Sequence, residues 1–231
     1  MTDQTGVAIV TGAGRGIGRA IASRLANRGM KVLAVARTAG DLAKTAAAAT
    51  GGVCLPHPAD VTRSDQVAAM VQRATEEFGR LDVLVNNAAV APLATVEQIT
   101  DTMLADTLAV NVSAVVYACR AAWPALKRSR GTIINISSVA ADDPFPGFAL
   151  YGATKAWVNV FTRALAAEGR ADGIRVFAVG PGAVETEMLR KAFPDFPADQ
   201  TLQTDDIATA VEWMLDERTR YMTGQTIYVK K

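Results

Sequence analysis

Val7-Ala-Ile-Val-Thr-Gly-Ala-Gly-Arg-Gly-Ile-Gly18 is the stretch whose reading decides the fold. Val7 to Thr11 form an apolar run with no polar alternation, which suits a parallel strand covered on both faces. Glycines crowd the next residues. A helical pattern follows, with Ile17, Ile21 and Leu25 four apart and Gly29 as its stop. In a strand, glycine turn and helix, backbone N–H groups and a helix N-terminus can receive a pyrophosphate. A Cβ in such a turn would hold the phosphates off the backbone. The spacing is not G-x-G-x-x-G, and an ordinary tight loop is the competing reading. The flanking elements favour a dinucleotide held by Gly12, Gly14, Arg15, Gly16, Ile17 and Gly18.

Lys31 to Ala36 read as a second strand. NAD-binding folds often place an acid at its end for the ribose hydroxyls, but here Arg37 stands there and the nearest acid, Asp41, lies in the next helix. Arg37, with Arg15, offers planar cations to a 2′-phosphate, so NADP(H) is favoured over NAD(H). A solvated strand-end arginine is the bland alternative. Val53 to Pro58 make a third strand, and Asp60 and Val61 at its end can meet an adenine. Ser64 is the expected N-cap of a helix whose apolar face is Val67, Met70, Val71, Ala74 and Phe78, with Gly79 ending it. Asp82 to Asn86 form a fourth strand, closed by Asn86-Asn87-Ala88-Ala89. Small residues there let a cofactor lie against the backbone, although an Asx turn with no ligand has the same look. A long helical region from about Val96 to Trp123 contains Asn111, a poor residue for a helix interior. It either bends the helix or holds a water, or it is a buried amide satisfied locally.

The fifth strand, Thr132 to Ser137, runs into Ser138. The loop to Leu150 is apolar enough, through Phe145 and Phe148, to wall a pocket. A helix then opens on Tyr151-Gly-Ala-Thr-Lys155. Tyrosine and lysine four apart share a helix face. A nearby ammonium stabilises a phenolate, so Lys155 is expected to lower the pKa of Tyr151 and make it a proton donor near neutral pH. Taken alone, the pair is equally an aromatic and a cation on a helix surface. Trp157 on the same helix is assigned to core or interface packing. A sixth strand covers Ile174 to Val179, followed by a turn through Pro181, Gly182, Val184 and Thr186. Residues 186–204 lose their periodicity at Pro194 and Pro197 yet carry Met188, Leu189, Phe193 and Phe196. They read as a mobile flap over the substrate, or as an ordinary surface excursion. The expected substrate pocket is Ser138, Phe145, Phe148, Tyr151, Met188 and Phe193. Thr204 is expected to cap a last helix, and Thr226 to Lys230 to form a last strand.

Composition narrows the classes. Of 231 residues half are apolar, enough for one sizeable core, so 1–231 is taken as a single domain. A formal net charge of +1 argues against nucleic acid or an anionic membrane as partner. Met1 to Gly6 are polar; neither a signal peptide nor a bilayer-spanning stretch is expected, and the location is cytoplasmic. Cys54 and Cys119 are expected to be unpaired thiols in a reducing compartment. His57, the sole histidine, is placed in a solvated loop, which leaves no histidine metal site or Ser-His triad; no metal is expected.

Alternating strands and helices give an α/β fold: a Rossmann-type, doubly wound parallel sheet of about seven strands with helices on both faces. With Thr11-Gly-x-x-x-Gly-x-Gly18, Asp60-Val61, Asn86-Asn-Ala-Ala89, Asn111, Ser138, Tyr151-x-x-x-Lys155 and Pro181-Gly182 with Thr186, the chain resembles the compact branch of the short-chain dehydrogenase/reductase family, and within it the bacterial NADPH-dependent 3-oxoacyl-carrier-protein reductases. The resemblance implies hydride transfer between NADP(H) and a carbonyl or secondary alcohol. It implies that Ser138 binds the carbonyl, Tyr151 donates the proton, and Lys155 lowers the tyrosine pKa and holds the nicotinamide ribose. Asn111 would keep a water beside Lys155. Thr186 and the backbone near Val184 would fix the carboxamide, and Asn87, Ala88 and Ala89 would border the cofactor. It also implies a homodimer or homotetramer through the two long helices. The chain departs from the family at Ala89, usually glycine, and at Gly180, usually asparagine, where a looser strand end is expected. Sugar-nucleotide epimerases and dehydratases share Tyr-x-x-x-Lys but carry a further domain. A non-catalytic NADP(H) sensor or scaffold on the same fold is the alternative function.

Overall fold

In the computed structural model, which describes residues 6–231, seven strands form one sheet in the order β3-β2-β1-β4-β5-β6-β7, every neighbouring pair parallel. The reading of Met1 to Thr5 as a polar start lies outside those residues. The strands are β1 (Val7–Thr11), β2 (Lys31–Ala36), β3 (Cys54–Pro58), β4 (Val83–Asn86), β5 (Thr132–Ile136), β6 (Arg175–Pro181) and β7 (Thr226–Val229). Chain order reverses between β1 and β4, so the crevice beyond their carboxyl ends is the natural ligand position of such a sheet.

Burial on both faces explains the uninterrupted apolar strands. In β1, Ala8 and Val10 point to one layer, where they meet Ile21 and Leu25 of α1 (Gly16–Asn27), Leu42 of α2 (Ala39–Ala48) and Ile207, Val211 and Met214 of α8 (Thr204–Met214). Val7 and Ile9 point to the other. There they meet Val67 and Met70 of α3 (Ser64–Phe78), Cys119 and Leu126 of α5 (Ala114–Ser129) and Leu165 of α6 (Ala149–Gly169).

Several expectations shift. The helical region is not one helix over 96–123. It is a 3-10 turn (Val96–Gln98), α4 (Asp101–Leu108), a π-turn (Ala109–Ser113) and α5, which continues through Pro124 to Ser129. Burial of Ala118, Cys119, Ala122, Ala125 and Leu126 spans that proline and outweighs its local cost. By length and composition the run Asp101–Ser129 could cross a bilayer, contrary to the sequence reading, but α5 lays its inward face on the sheet. Ser64 and Thr204 are first helical residues rather than caps; Arg63 and Gln203 hold the cap positions. His57 lies in β3 rather than a solvated loop, and burial together with Arg73 lowers its pKa. Cys54 and Cys119 are unpaired.

Candidate active site

The glycine turn is fastened to the end of β4. Thr11 Oγ1 accepts the backbone N–H groups of Asn87 (3.0 Å) and Ala88 (3.2 Å), and Asn87 Nδ2 donates to the carbonyl of Thr11 at 2.9 Å. Two glycines are required by this packing rather than by a ligand. A Cβ on Gly18 would sit 2.3 Å from the Gly12 carbonyl oxygen, and one on Gly12 would sit 2.8 Å from Asn87 Nδ2. Gly16, at φ +53°, opens α1. Arg15 holds the cap position without a side-chain cap bond, and no acid stands in the first turn. The exposed N–H groups and positive end of α1 therefore remain available to an anion.

The second half of the site comes from β5 and α6. Ser138 follows β5, caps the 3-10 turn Val139–Ala141, and accepts the N–H of Ala140 at 3.1 Å. Its hydroxyl also hydrogen-bonds the phenol of Tyr151. Gly152 lets α6 close on this turn, since a Cβ there would meet the Ala140 carbonyl oxygen at 2.6 Å. Lys155 Nζ donates to the Ile136 carbonyl at 2.7 Å and lies 5.6 Å from the Tyr151 ring centroid.

Burial works against one expectation, that Lys155 acidifies Tyr151. Lys155 stands over the face of the tyrosine ring, and within the protein alone burial governs both groups. The phenol is pushed up to about 12 despite the Ser138 hydrogen bond, and the ammonium down to about 8. In the protein alone, burial outweighs whatever the lysine contributes to stabilising the phenolate.

Asn111 occupies the π-turn, 1% exposed. Its Oδ1 accepts Val90 N–H at 2.9 Å, and its Nδ2 donates to Val90 O at 2.8 Å and Thr154 Oγ1 at 3.1 Å. The amide is thus spent on pinning the loop after β4 to α6, rather than on a water. A π-turn displaces carbonyls from their usual helical partners, so any water would be met by the main chain.

One cleft of about 1030 Å³ joins both halves. It is lined by every residue expected at the cofactor or substrate: Gly12, Gly14, Arg15, Gly16, Ile17, Gly18, Arg37, Asp60, Val61, Asn87, Ala88, Ala89, Pro181, Gly182, Val184 and Thr186 on one side, Ser138, Phe145, Phe148, Tyr151, Lys155, Met188 and Phe193 on the other. Asn111 does not line it; its neighbour Val110 does. Asp60 is held below the usual carboxylate range, first by the Thr62 N–H and hydroxyl.

Residues 186–204 are more ordered than a bare flap. They contain α7 (Glu187–Ala192), capped by Thr186, and a 3-10 turn. Arg190 grips both carboxylate oxygens of Glu185 and donates to the carbonyls of Pro194 (3.2 Å) and Phe196 (2.6 Å). Phe193 then stacks on Phe148 with centroids 5.7 Å apart, and Phe148 meets Tyr151 edge-on at 5.3 Å. Arg15 pairs with Glu187 at 2.6 Å.

Nor is Gly180 a loose point. Its β-ladder partner Tyr228 covers it, and a Cβ would meet the ring at 2.4 Å. The Tyr228 hydroxyl accepts from Asn159 Nδ2 at 3.0 Å and bonds Asp142. Thr154, Glu187 and Tyr228 make contacts at the site that the sequence does not single out. Glu187 follows Thr186, so position is its only signal. Tyr228 had none short of the strand register.

An α/β sheet with a glycine turn and a Ser-Tyr-Lys group in one cleft defines a nucleotide-dependent oxidoreductase. The chain belongs to the short chain dehydrogenase family, whose model matches residues 6–196. A 3-oxoacyl-[acyl-carrier-protein] reductase of Staphylococcus aureus is 36% identical, covering 96% of this chain and 95% of that protein. An acetoacetyl-CoA reductase of Allochromatium vinosum is also 36% identical, covering 96% of each. The crystal structure of a 3-ketoacyl-(acyl-carrier-protein) reductase from Brucella melitensis complexed with NADH superposes with a TM-score of 0.92, at 32% identity over 99% of this chain and 98% of that one. The glycine cradle and uncapped helix end fit a nicotinamide dinucleotide, which is the cofactor of this oxidoreductase.

Proposed function

We propose that the protein is an NADP(H)-dependent carbonyl reductase acting on a ketone or 3-oxoacyl compound. The observation that carries this reading is the convergence of Ser138, Tyr151 and Lys155 on the cleft that the glycine turn opens. The names of the relatives support the substrate class. When bound, the dihydronicotinamide supplies the hydride.

The chain's own groups do the rest. Ser138 donates to the substrate oxygen and holds it beside the Tyr151 hydroxyl. Tyr151, kept protonated by burial to about pH 12, gives its proton to the oxygen as negative charge develops there. An alkoxide is more basic than a phenolate, so the transfer runs downhill without a strongly acidified donor. Lys155 lies close enough to stabilise the phenolate left behind, and with a pKa of about 8 it is largely charged at neutral pH. The main chain at Asn111 is the candidate for holding a water that returns the proton. The wall of Phe148 and Phe193 excludes bulk water from the reacting groups, with residues 186–204 as the lid.

Arg37 and Arg15 are assigned to the 2′-phosphate; among the described residues no carboxylate forms an ion pair with Arg37. Pro181, Gly182, Val184 and Thr186 are assigned to the nicotinamide side. Two free thiols fit a reducing, cytoplasmic setting. The stacked Trp157 and Phe161 on α6, with Tyr117 and Trp123 on α5, are the assigned contacts of a homo-oligomer.

The test follows NADPH and NADH consumption against ketones, diketones and 3-oxoacyl thioesters. Tyr151→Phe should lose a factor of about 10² to 10⁴ in kcat while still binding the cofactor. Retention of wild-type turnover by that variant would remove Tyr151 as the donor. Cofactor binding with no turnover of any carbonyl would favour the sensor reading instead.

A further inference from the structure

We propose that Glu187, on the lid, is a specificity-determining residue that competes with the cofactor's 2′-phosphate for Arg15. The inference rests on the assignment of Arg15 to that phosphate.

Arg15 stands at the mouth of the glycine turn, where α1 leaves an uncapped N-terminus. Its guanidinium is turned to a carboxylate 172 residues away in sequence, at 2.6 Å. The contact follows from how the lid is seated. A Cβ on Gly16 would touch Thr186 Cγ2 at 3.4 Å, so the lid begins directly over the turn. Glu187 is the next residue, and it opens α7, whose positive end favours an acid. The lid's own arginine cannot satisfy it, because Arg190 is committed to Glu185 and to two carbonyls. Of the other acids on the side of the glycine turn, Asp41 lies 3.8 Å from Lys44, and Asp60 accepts from Thr62 and feels the charge of Arg37 without an ion pair to it.

Glu187 therefore cancels one of the two cations assigned to the phosphate. A phosphomonoester carries a charge near −2. Binding it at Arg15 displaces Glu187 or brings like charges together. NADH, which lacks that group, meets no such opposition. Both partners are more than two-thirds exposed, so screening limits the effect to a few-fold.

The test is a fluorescence titration of NADPH and NADH into wild type, Glu187→Gln, Arg15→Gln and the double variant. Glu187→Gln should tighten NADPH about three-fold and leave NADH within a factor of about 1.5. The gain should vanish in the Arg15→Gln background and at about 1 M salt. Equal tightening of both cofactors, no tightening of NADPH, or a gain that survives Arg15→Gln would each overturn the proposal. A wild type that binds NADPH no tighter than NADH would refute the cofactor assignment. The response of NADPH affinity to Glu187→Gln still reads the competition separately.

Discussion

Replacing Lys155 with methionine should abolish turnover and yet stabilise the protein at neutral pH. Lys155 is 3% exposed, and burial lowers its pKa from 10.5 to about 8. At about 1.36 kcal/mol per pH unit, that difference means that holding the charge at pH 7 costs about 3 kcal/mol. Methionine fills a similar volume without the charge. It also strands the Ile136 carbonyl, which now accepts from Nζ at 2.7 Å, and an unsatisfied buried carbonyl costs about 1–3 kcal/mol. The net gain is about 0–2 kcal/mol, a rise in Tm of up to about 8 °C for a chain of this size.

The pH dependence is the sharper signature. Between about pH 8 and pH 10.5 the folded wild type binds fewer protons than the unfolded chain, so its stability rises with pH there. The variant cannot follow. Its advantage should hold constant below pH 8, shrink by about 1.4 kcal/mol per unit above it, and reverse between about pH 8 and pH 9.5. Urea unfolding followed by circular dichroism at several pH values measures this directly. A variant less stable at pH 7, or a difference that does not change with pH, would refute the claim that Lys155 is held charged against its burial.

Gly180→Ala should destabilise by about 1–3 kcal/mol, read as a lower urea midpoint, because its Cβ would press the Tyr228 ring at 2.4 Å; an unchanged midpoint would show that ring free to move. Arg190→Ala releases Glu185 and the carbonyls of Pro194 and Phe196, so the proposed lid, residues 186–204, loses its internal clasp. A several-fold rise in KM for the carbonyl substrate is expected, with cofactor Kd changed less; equal changes in both would argue against a lid over the substrate. Sedimentation should give a dimer or tetramer, and Trp157→Glu together with Phe161→Glu should shift it toward the monomer; a wild-type monomer would refute the assigned interface.

Much of the fold was legible because it rests on short-range patterns. The unbroken apolar runs of β1, β2 and β5 announce strands covered on both sides, and the glycine turn marks where the first crossover begins. Ser138 and Tyr151 are thirteen positions apart, yet the end of a strand and the start of the next helix bring them together. The boundaries that failed were those where packing overrode a local signal. Pro124 reads as a stop, but the buried alanines on either side carry α5 past it. Residues 186–204 read as irregular because their order comes from bonds that leave no periodicity, those of Arg190 and the main-chain bridge between Val184 and Leu202.

The sequence by itself determined the strands, their parallel sense and the chemical identity of the groups in the cleft, since those follow from spacing along one chain. Only the tertiary structure decided the electrostatics. Whether Lys155 acidifies Tyr151 or merely shares its burial depends on how far both are withdrawn from water. Whether Arg15 is free or held by Glu187 depends on where a distant helix comes to rest. Charge and desolvation are properties of the assembled surroundings, and residues 172 positions apart become neighbours only when α7 is seated beside the glycine turn.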